Sequence, residues 1–139
     1  MTLSATATIG RDRYATRIET GDHRLIADEP PANGGGDRGP SPYDLVLSGL
    51  AACTAITLRM YADRKAWPLE SLSVGVRLHR GADQALRIER TIAPTGLDAA
   101  QCARLAEIAE KTPVTLALKH GLPIDTTMVP RAPGSSSQA

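Results

Sequence analysis

The first part of the chain carries the pattern of short β-strands. Residues 3–9, 14–19 and 23–27 are rich in Thr, Ala and Ile, and short connections separate them. β-Branched residues favour strands, and the Gly21-Asp22 pair favours a reversal of the chain. The pattern therefore predicts three antiparallel strands arranged as a meander.

A long helix is predicted to follow. Ser41 can cap its start, Pro42 suits the first helical position, and Asp44 completes a capping box close to the positive end of the helix. Apolar and small residues cover much of the helix circumference as far as about residue 66, so we expect this helix to be largely buried. Trp67-Pro68 ends it, because proline cannot continue a helix.

The rest of the chain alternates between strand and helix patterns. Residues 72–79 and 85–92 alternate apolar and polar positions on either side of a glycine-containing turn, which predicts a hairpin. Asp98 can cap a second helix that runs to about Lys111, and a short helix is predicted from Pro113 to Gly121. An edge strand is predicted over residues 122–129, since Pro123 lacks an amide donor. Antiparallel strands and helices in this order predict an α+β fold.

The segment that joins the strands to the long helix, residues 28–40, fits neither helix nor strand because glycine and proline dominate it. Long ordered loops inside compact domains are often functional, whereas a flexible linker has the same composition. The Gly34–Gly36 run lacks the lysine and the spacing of a phosphate-binding loop, so no nucleotide site is expected.

Length and composition narrow the class of protein. A chain of 139 residues suits one domain, expected over residues 1–130, with a disordered tail over 131–139. The aromatic share of 3% and the net charge of +1 argue against a nucleic-acid partner. No continuous apolar run of membrane-spanning length and no signal-peptide layout is present, so a cytoplasmic protein without a membrane partner is expected. The basic residues are scattered, which predicts solvated positions or salt bridges.

Two cysteines are the candidates for chemistry. Cys53 lies about 11 residues into the long helix, roughly 16 Å from its start, so the field of the helix N-terminus cannot activate its thiol. It is either a small residue packed among alanines or a nucleophile activated by a cation from elsewhere. Cys102 lies in the first turn of the second helix, where exposed helical amides could favour a thiolate, or it is a small packed residue. No metal site is expected, because the three histidines, His23, His79 and His120, lack ligand spacing.

Two stretches around the long helix resemble a known family. They read Gly39-Pro40-Ser41-Pro42-Tyr43-Asp44-Leu45 and Leu50-Ala51-Ala52-Cys53-Thr54-Ala55-Ile56. This sequence is similar to the OsmC/Ohr proteins, and the similarity extends to about residue 128. The resemblance implies an α+β fold in which antiparallel sheets wrap around two central helices and two chains form an intertwined homodimer.

The resemblance also implies a chemistry. OsmC/Ohr proteins reduce small organic hydroperoxides with a cysteine of the central helix, without a cofactor, and an external thiol restores that cysteine. Cys53 occupies this position. The family pairs the thiolate with an arginine, for which Arg11 and Arg38 are both candidates. Asp44 lies one residue from the acidic position that orients this arginine.

One position departs from the family. The family's second, resolving cysteine precedes a proline, and here Thr112 precedes Pro113. Cys102 lies ten residues earlier, about 15 Å along a helix, whereas a disulfide needs Cα atoms within about 7 Å. We therefore expect a one-cysteine peroxidase. The alternatives are a non-catalytic dimer of the same fold that binds a small apolar ligand or partner, and a purely structural dimer.

Overall fold

The computed structural model describes residues 2–134 of the chain. The chain divides into two compact units, Met1–Leu45 together with Asp125–Ala139, and Val46–Ile124. The single domain expected over 1–130 stays a prediction. The disorder expected over residues 131–139 also stays a prediction. Residues 135–139 lie outside the described part of the chain.

The first unit contains a three-stranded antiparallel sheet. Its strands are β1 (Thr6–Thr8), β2 (Thr16–Thr20) and β3 (His23–Ala27), in the order β1-β2-β3. The turn between β2 and β3 uses Gly21, whose φ of 57° suits a residue without a Cβ. The predicted meander is confirmed, and β1 is shorter than the sequence pattern suggested.

The glycine-rich segment 28–40 has a defined path in the first unit. Its two ends meet, because the Asp28 amide donates to the Pro40 carbonyl at 3.1 Å. A single 3₁₀ turn covers Pro31–Asn33. Two glycines are needed for close backbone approach, since a Cβ on Gly35 would clash with the Glu29 carbonyl and one on Gly39 with the Ile26 carbonyl.

The second unit contains a hairpin and helices. Helix α1 (Pro42–Arg64) begins in the first unit and continues through the second. The other elements are β4 (Ser71–Arg80), β5 (Leu86–Thr95), α2 (Ala99–Ala109) and α3 (Pro113–His120). β4 and β5 pair antiparallel, and the helices and the hairpin lie close to their predicted positions. The α+β class is confirmed.

The core of the second unit joins α1 and α2 to the hairpin. Leu58, Leu105 and Ala109 are fully buried and pack together. Tyr61 and Trp67 cover this cluster at the end of α1, with their rings edge to face and their centroids 5.4 Å apart. The alternation predicted for β4 and β5 supplies the other side of the core, through the half-buried Leu72 and Ile92.

Helix α1 is less buried than predicted. Its buried residues lie four positions apart in a single narrow stripe: Leu50, Thr54, Leu58 and Ala62. Ile56 and Met60 on other faces are exposed, and so is Val46, one turn before Leu50. By length and composition alone α1 could also cross a membrane, with a mean hydropathy of 1.5, a test that core helices of soluble proteins pass as well. Apolar residues surround much of α1, as predicted, but the described residues bury only one stripe of this surface.

The edge strand predicted over residues 122–129 is wrong. This segment has no regular secondary structure in the described chain. Leu122 and Ile124 are 71% and 87% exposed, and Met128 and Val129 are comparably open to solvent. A strand needs a neighbour that pairs with its backbone, and an apolar pattern in the sequence does not supply one.

The cap predicted at Asp98 is confirmed, and in the structure it forms a full capping box, which gives a test of the fold. The Gln101 amide donates to the Asp98 carboxylate at 2.8 Å, and the Asp98 amide donates to the Gln101 side chain at 3.0 Å. Asp98→Ala should lower the free energy of unfolding by about 1 kcal/mol, because α2 loses this cap. Urea titration measures the loss. The control is Asp63→Ala, which removes an exposed ion pair with Arg59. It should change the free energy of unfolding by less than about 0.5 kcal/mol.

Candidate functional site

The free thiol of Cys53 lies in the middle of α1 and is half-buried. Its neighbour Thr54 is fully buried and donates its hydroxyl hydrogen to the Leu50 carbonyl at 2.8 Å. Cys53 therefore lies at the border between the buried stripe of α1 and its exposed surface. A small reagent can therefore reach the Cys53 thiol, while the buried stripe of α1 keeps the helix packed in the second unit.

A buried arginine holds this part of α1. The Arg90 side chain extends from β5 and is 12% exposed. Its Nη1 donates to the Thr54 hydroxyl at 3.0 Å and to the Thr115 hydroxyl at 2.7 Å, and its Nη2 donates to the Ala109 carbonyl at 3.0 Å. One guanidinium thus connects β5 with α1, the end of α2 and the start of α3.

Thr112 extends this network. Its side chain is fully buried, and its hydroxyl lies 2.6 Å from that of Thr115. The position at which the resemblance implies a resolving cysteine therefore carries a hydroxyl that takes part in a hydrogen-bonded cluster. The links from Thr112 through Thr115 and Arg90 to Thr54 measure 2.6, 2.7 and 3.0 Å, so the two outer hydroxyl oxygens are at most about 8 Å apart.

Arg90 is not among the site residues predicted from the sequence, because the scattered basic residues are expected to be mostly solvated or in salt bridges. Arg90 lies 3.6 Å from the Glu110 carboxylate, but its closest partners are hydroxyl and carbonyl oxygens. A signal was present, since Arg90 follows Ile88 and precedes Ile92 at alternate positions of a half-buried strand. An arginine on the apolar face of a strand needs several acceptors, and the sequence does not show that three helices provide them.

A second buried charge organises the loop of the first unit. The Asp28 carboxylate is inaccessible to solvent and accepts hydrogen bonds from the amides of Tyr14, Glu29 and Arg38, at 3.0, 2.7 and 3.1 Å. Burial by itself raises the pKa of Asp28, but the backbone donors, which include the Gly36 amide, outweigh it and lower that pKa overall. Segment 28–40 is thus built around a carboxylate that stays ionised.

The candidate arginines differ in their surroundings. The Arg38 side chain is 55% exposed, with Nε 3.7 Å from the Asp28 carboxylate. Arg11 is exposed in the connection between β1 and β2. Both belong to the first unit and Cys53 to the second. The role of either arginine toward Cys53 stays a prediction.

Asp44 acts as a helix cap. The Ser41 amide donates to its carboxylate at 3.0 Å, and the Asp44 amide donates to the Ser41 hydroxyl at 3.2 Å. The amide and hydroxyl of Ser41 lower the pKa of Asp44. The predicted capping box is confirmed. Neither Arg11 nor Arg38 pairs with this carboxylate within residues 2–134, and its orienting role stays a prediction.

Cys102 is the other free thiol, half-buried on α2. Its amide donates to the carbonyl of Asp98 in the first turn. It lies three positions from Leu105 on the same helix, and ten positions before Thr112. Its role also stays a prediction.

The second unit holds a pocket of about 710 Å³ between the hairpin and the helices. Arg90 and Thr115 contribute polar groups to its wall, and Glu110 and Lys119 form an ion pair there. The other walls are mainly aliphatic, including Leu50 and Leu118. Cys53 does not line it.

Comparison with known proteins identifies the family. The family model described as OsmC-like protein matches residues 34–127, which include the whole of α1, β4, β5, α2 and α3. The chain belongs to the OsmC-like protein family. The resemblance carried by the residues around Cys53 is thereby confirmed. A search of curated proteins gave no match.

Solved structures agree with this assignment to the OsmC-like family. An organic hydroperoxide resistance protein OsmC from Legionella pneumophila is 27% identical, with 86% of this chain and 90% of that one covered and a TM-score of 0.61. The organic hydroperoxide resistance protein OhrB of Bacillus subtilis is 25% identical, with 87% and 93% covered and a TM-score of 0.59. An OsmC-like protein from Mycoplasma pneumoniae, 20% identical over 87% and 89%, shares the fold with a TM-score of 0.69.

The buried Asp28 predicts a pH-dependent stability. Because its folded pKa is lowered, its contribution is present above the unfolded value of 3.8 and is lost as the pH falls through the folded value. Asp28→Asn should therefore lower the thermal midpoint at pH 7, and the difference from the wild type should narrow below about pH 4. Thermal unfolding followed by circular dichroism at both pH values measures this. Asp22→Asn in an exposed turn is the control, and an equal effect of the two variants at pH 7 would contradict the role of Asp28.

Proposed function

We propose that this OsmC-like protein reduces small organic hydroperoxides with the Cys53 thiol as nucleophile, and that an external thiol restores it. The half-buried, free thiol on the family's central helix carries this proposal. The relatives from Legionella pneumophila and Bacillus subtilis, both named as organic hydroperoxide resistance proteins, support the substrate class.

The proposed reaction has three steps. The Cys53 thiolate attacks the terminal oxygen of the hydroperoxide, the O–O bond breaks, and the leaving alkoxide takes a proton to become an alcohol. Cys53 is thereby oxidised to a sulfenic acid. One external thiol condenses with it, forming a mixed disulfide and water, and a second thiol releases Cys53 and leaves as the oxidised disulfide.

The surroundings of Thr112 support the one-cysteine form of this cycle. A threonine hydroxyl cannot form a disulfide, and this one is already committed to Thr115. Cys102 lies ten residues from that position in the sequence, on a different helix. The reducing equivalents are therefore proposed to come from outside the chain.

Charged groups complete the proposed site. Arg11 or Arg38 would stabilise the Cys53 thiolate, and Asp44 would orient that arginine. The capping bond from the Ser41 amide uses Oδ2 of Asp44, and Oδ1 has no partner among the described residues. That oxygen can still accept a hydrogen bond from a guanidinium.

The proposed assembly is a homodimer in the cytoplasm. Val46, Ile56 and Met60 leave a large part of α1 exposed, and exposed apolar surfaces of this kind are usually covered by a partner. A second copy is a better cover than a membrane, because Thr54 and Leu58 on the same helix are buried inside the second unit. No nucleic-acid partner is proposed for a chain with a net charge of +1.

The pocket in the second unit favours a second candidate function, the binding of a small apolar ligand without catalysis. Its volume of about 710 Å³ falls within the range of ligand pockets, and its aliphatic walls suit an alkyl group. In that case Cys53 would be a packing residue.

Peroxide consumption by the purified protein separates the two functions. With excess dithiothreitol, the wild type should consume an alkyl hydroperoxide catalytically and prefer it to hydrogen peroxide. Cys53→Ser should lose this activity by at least about 100-fold, because the hydroxyl is a far weaker nucleophile. Cys102→Ser, the matched control, should keep it. Absence of turnover in the wild type, with Cys53 still an unmodified thiol, would contradict the enzyme and favour the binding function.

Restoring a thiol at position 112 gives a second test. Thr112→Cys should form an intramolecular disulfide with Cys53 after one equivalent of alkyl hydroperoxide, because the polar chain through Arg90 keeps the two regions close. Peptide mass spectrometry without reduction detects this bond. Thr91→Cys, on an exposed position of β5, is the control and should form none. Failure of Thr112→Cys to form the disulfide, with Cys53 oxidised, would contradict the predicted proximity.

A further inference from the structure

We infer that Arg90 is a positioning residue for Cys53, and that it acts through its hydrogen bond to Thr54. The inference rests on the proposed function for its catalytic consequence. The observation behind it is the juxtaposition of a nearly buried guanidinium with the residue that follows Cys53 on α1.

The bond to Thr54 holds the rotation of α1 about its own axis, together with the burial of Leu50 and Leu58 on the same stripe. The Thr54 hydroxyl accepts from Arg90 and donates to the Leu50 carbonyl, so its rotamer is held from both sides. Successive side chains of a helix point about 100° apart, since a turn contains 3.6 residues. With Thr54 directed into the second unit, the direction of Cys53 follows.

The geometry requires an arginine. The guanidinium serves three acceptors that belong to different helices, Thr54, Thr115 and the Ala109 carbonyl, all within 3.0 Å. A lysine has one nitrogen at the end of a flexible chain and cannot reproduce this planar arrangement. Arg90→Lys therefore keeps the charge and removes the fixed geometry.

The positive charge of Arg90 is only partly compensated. Two of its three acceptors are neutral hydroxyls and the third is a carbonyl. The nearest carboxylate, that of Glu110, lies 3.6 Å from Nη2 and is shared with Lys119.

The rate of alkylation of Cys53 by iodoacetamide tests the inference without requiring turnover. Peptide mass spectrometry would give this rate relative to that of Cys102 in the same molecule, at a temperature where circular dichroism shows every variant folded. Arg90→Lys and Thr54→Val should each lower the ratio severalfold, because the rotation of α1 that keeps the half-buried Cys53 thiol open to the reagent is then less firmly held. The double variant should lose no more than Arg90→Lys alone, because Thr54→Val removes a bond that Arg90→Lys has already broken.

The matched control is Arg87→Lys, which lies on the same strand and has only an exposed ion pair with Asp83. It should leave the ratio unchanged. Lower thermal midpoints of Arg90→Lys and Thr54→Val with an unchanged or raised ratio would overturn the inference, because they would show a purely structural role. Thr54→Val keeps the guanidinium in place, so it tests the same bond if Arg90→Lys does not fold.

Chemical rescue gives an independent readout. Arg90 lines the pocket of about 710 Å³, so a small cation in solution can reach the space that Arg90→Ala would leave. Guanidinium, at concentrations far below those that unfold the protein, should raise the Cys53 ratio of Arg90→Ala and leave that of Arg87→Ala unchanged. No increase for Arg90→Ala would count against the inference.

The outcomes separate this inference from the proposed function. Hydroperoxide turnover in the wild type together with a Cys53 ratio that does not depend on Arg90 or Thr54 would overturn only the inference. No turnover together with a ratio that depends on both residues would overturn the proposed function and leave Arg90 as the residue that positions Cys53.

Discussion

The second unit depends on one buried cation. A guanidinium that leaves water loses a large solvation energy, and it is tolerated only where hydrogen-bond acceptors replace the water. Arg90 finds them at the side chain of Thr54 on α1, at the end of α2 and at Thr115 on α3. Because the carbonyl end of a helix carries partial negative charge, the end of α2 is a suitable acceptor. The positions of three helices are thereby tied to β5, and Cys53 is placed beside that attachment.

The first unit buries a negative charge, and hydrogen bonds likewise replace the water that this charge loses. The Asp28 carboxylate is buried, and backbone amides rather than a close ion pair satisfy it. The Arg38 side chain is 3.7 Å away and more than half exposed, so solvent screens most of that attraction. In both units a charge with little access to water is satisfied by neutral polar groups, which are backbone amides around Asp28 and mainly hydroxyls around Arg90. The glycine-rich loop has a defined path for this reason.

Local signals in the sequence predicted the elements well. The short-range patterns are the capping box at Ser41, the cap at Asp98, the proline at the start of α3 and the alternation of the hairpin. All of them are confirmed. The strand predicted over 122–129 and the burial predicted for most of α1 were wrong because both need a neighbour that the sequence does not specify. Arg90 was missed for the same reason, since its acceptors come from three separate segments. The two cysteines could be identified as candidates from their residue type alone. Their burial and their neighbours became known only from the structure.

The central claim is that Cys53 completes its redox cycle without a second thiol from the same chain. The most direct measurement is the intact mass and peptide map of the protein after one equivalent of alkyl hydroperoxide, with a sulfenic-acid trap and no reductant. The account predicts a trapped sulfenic acid on Cys53 and an unmodified Cys102. A disulfide between Cys53 and Cys102 within one chain, or an untouched Cys53 while the hydroperoxide persists, would contradict it.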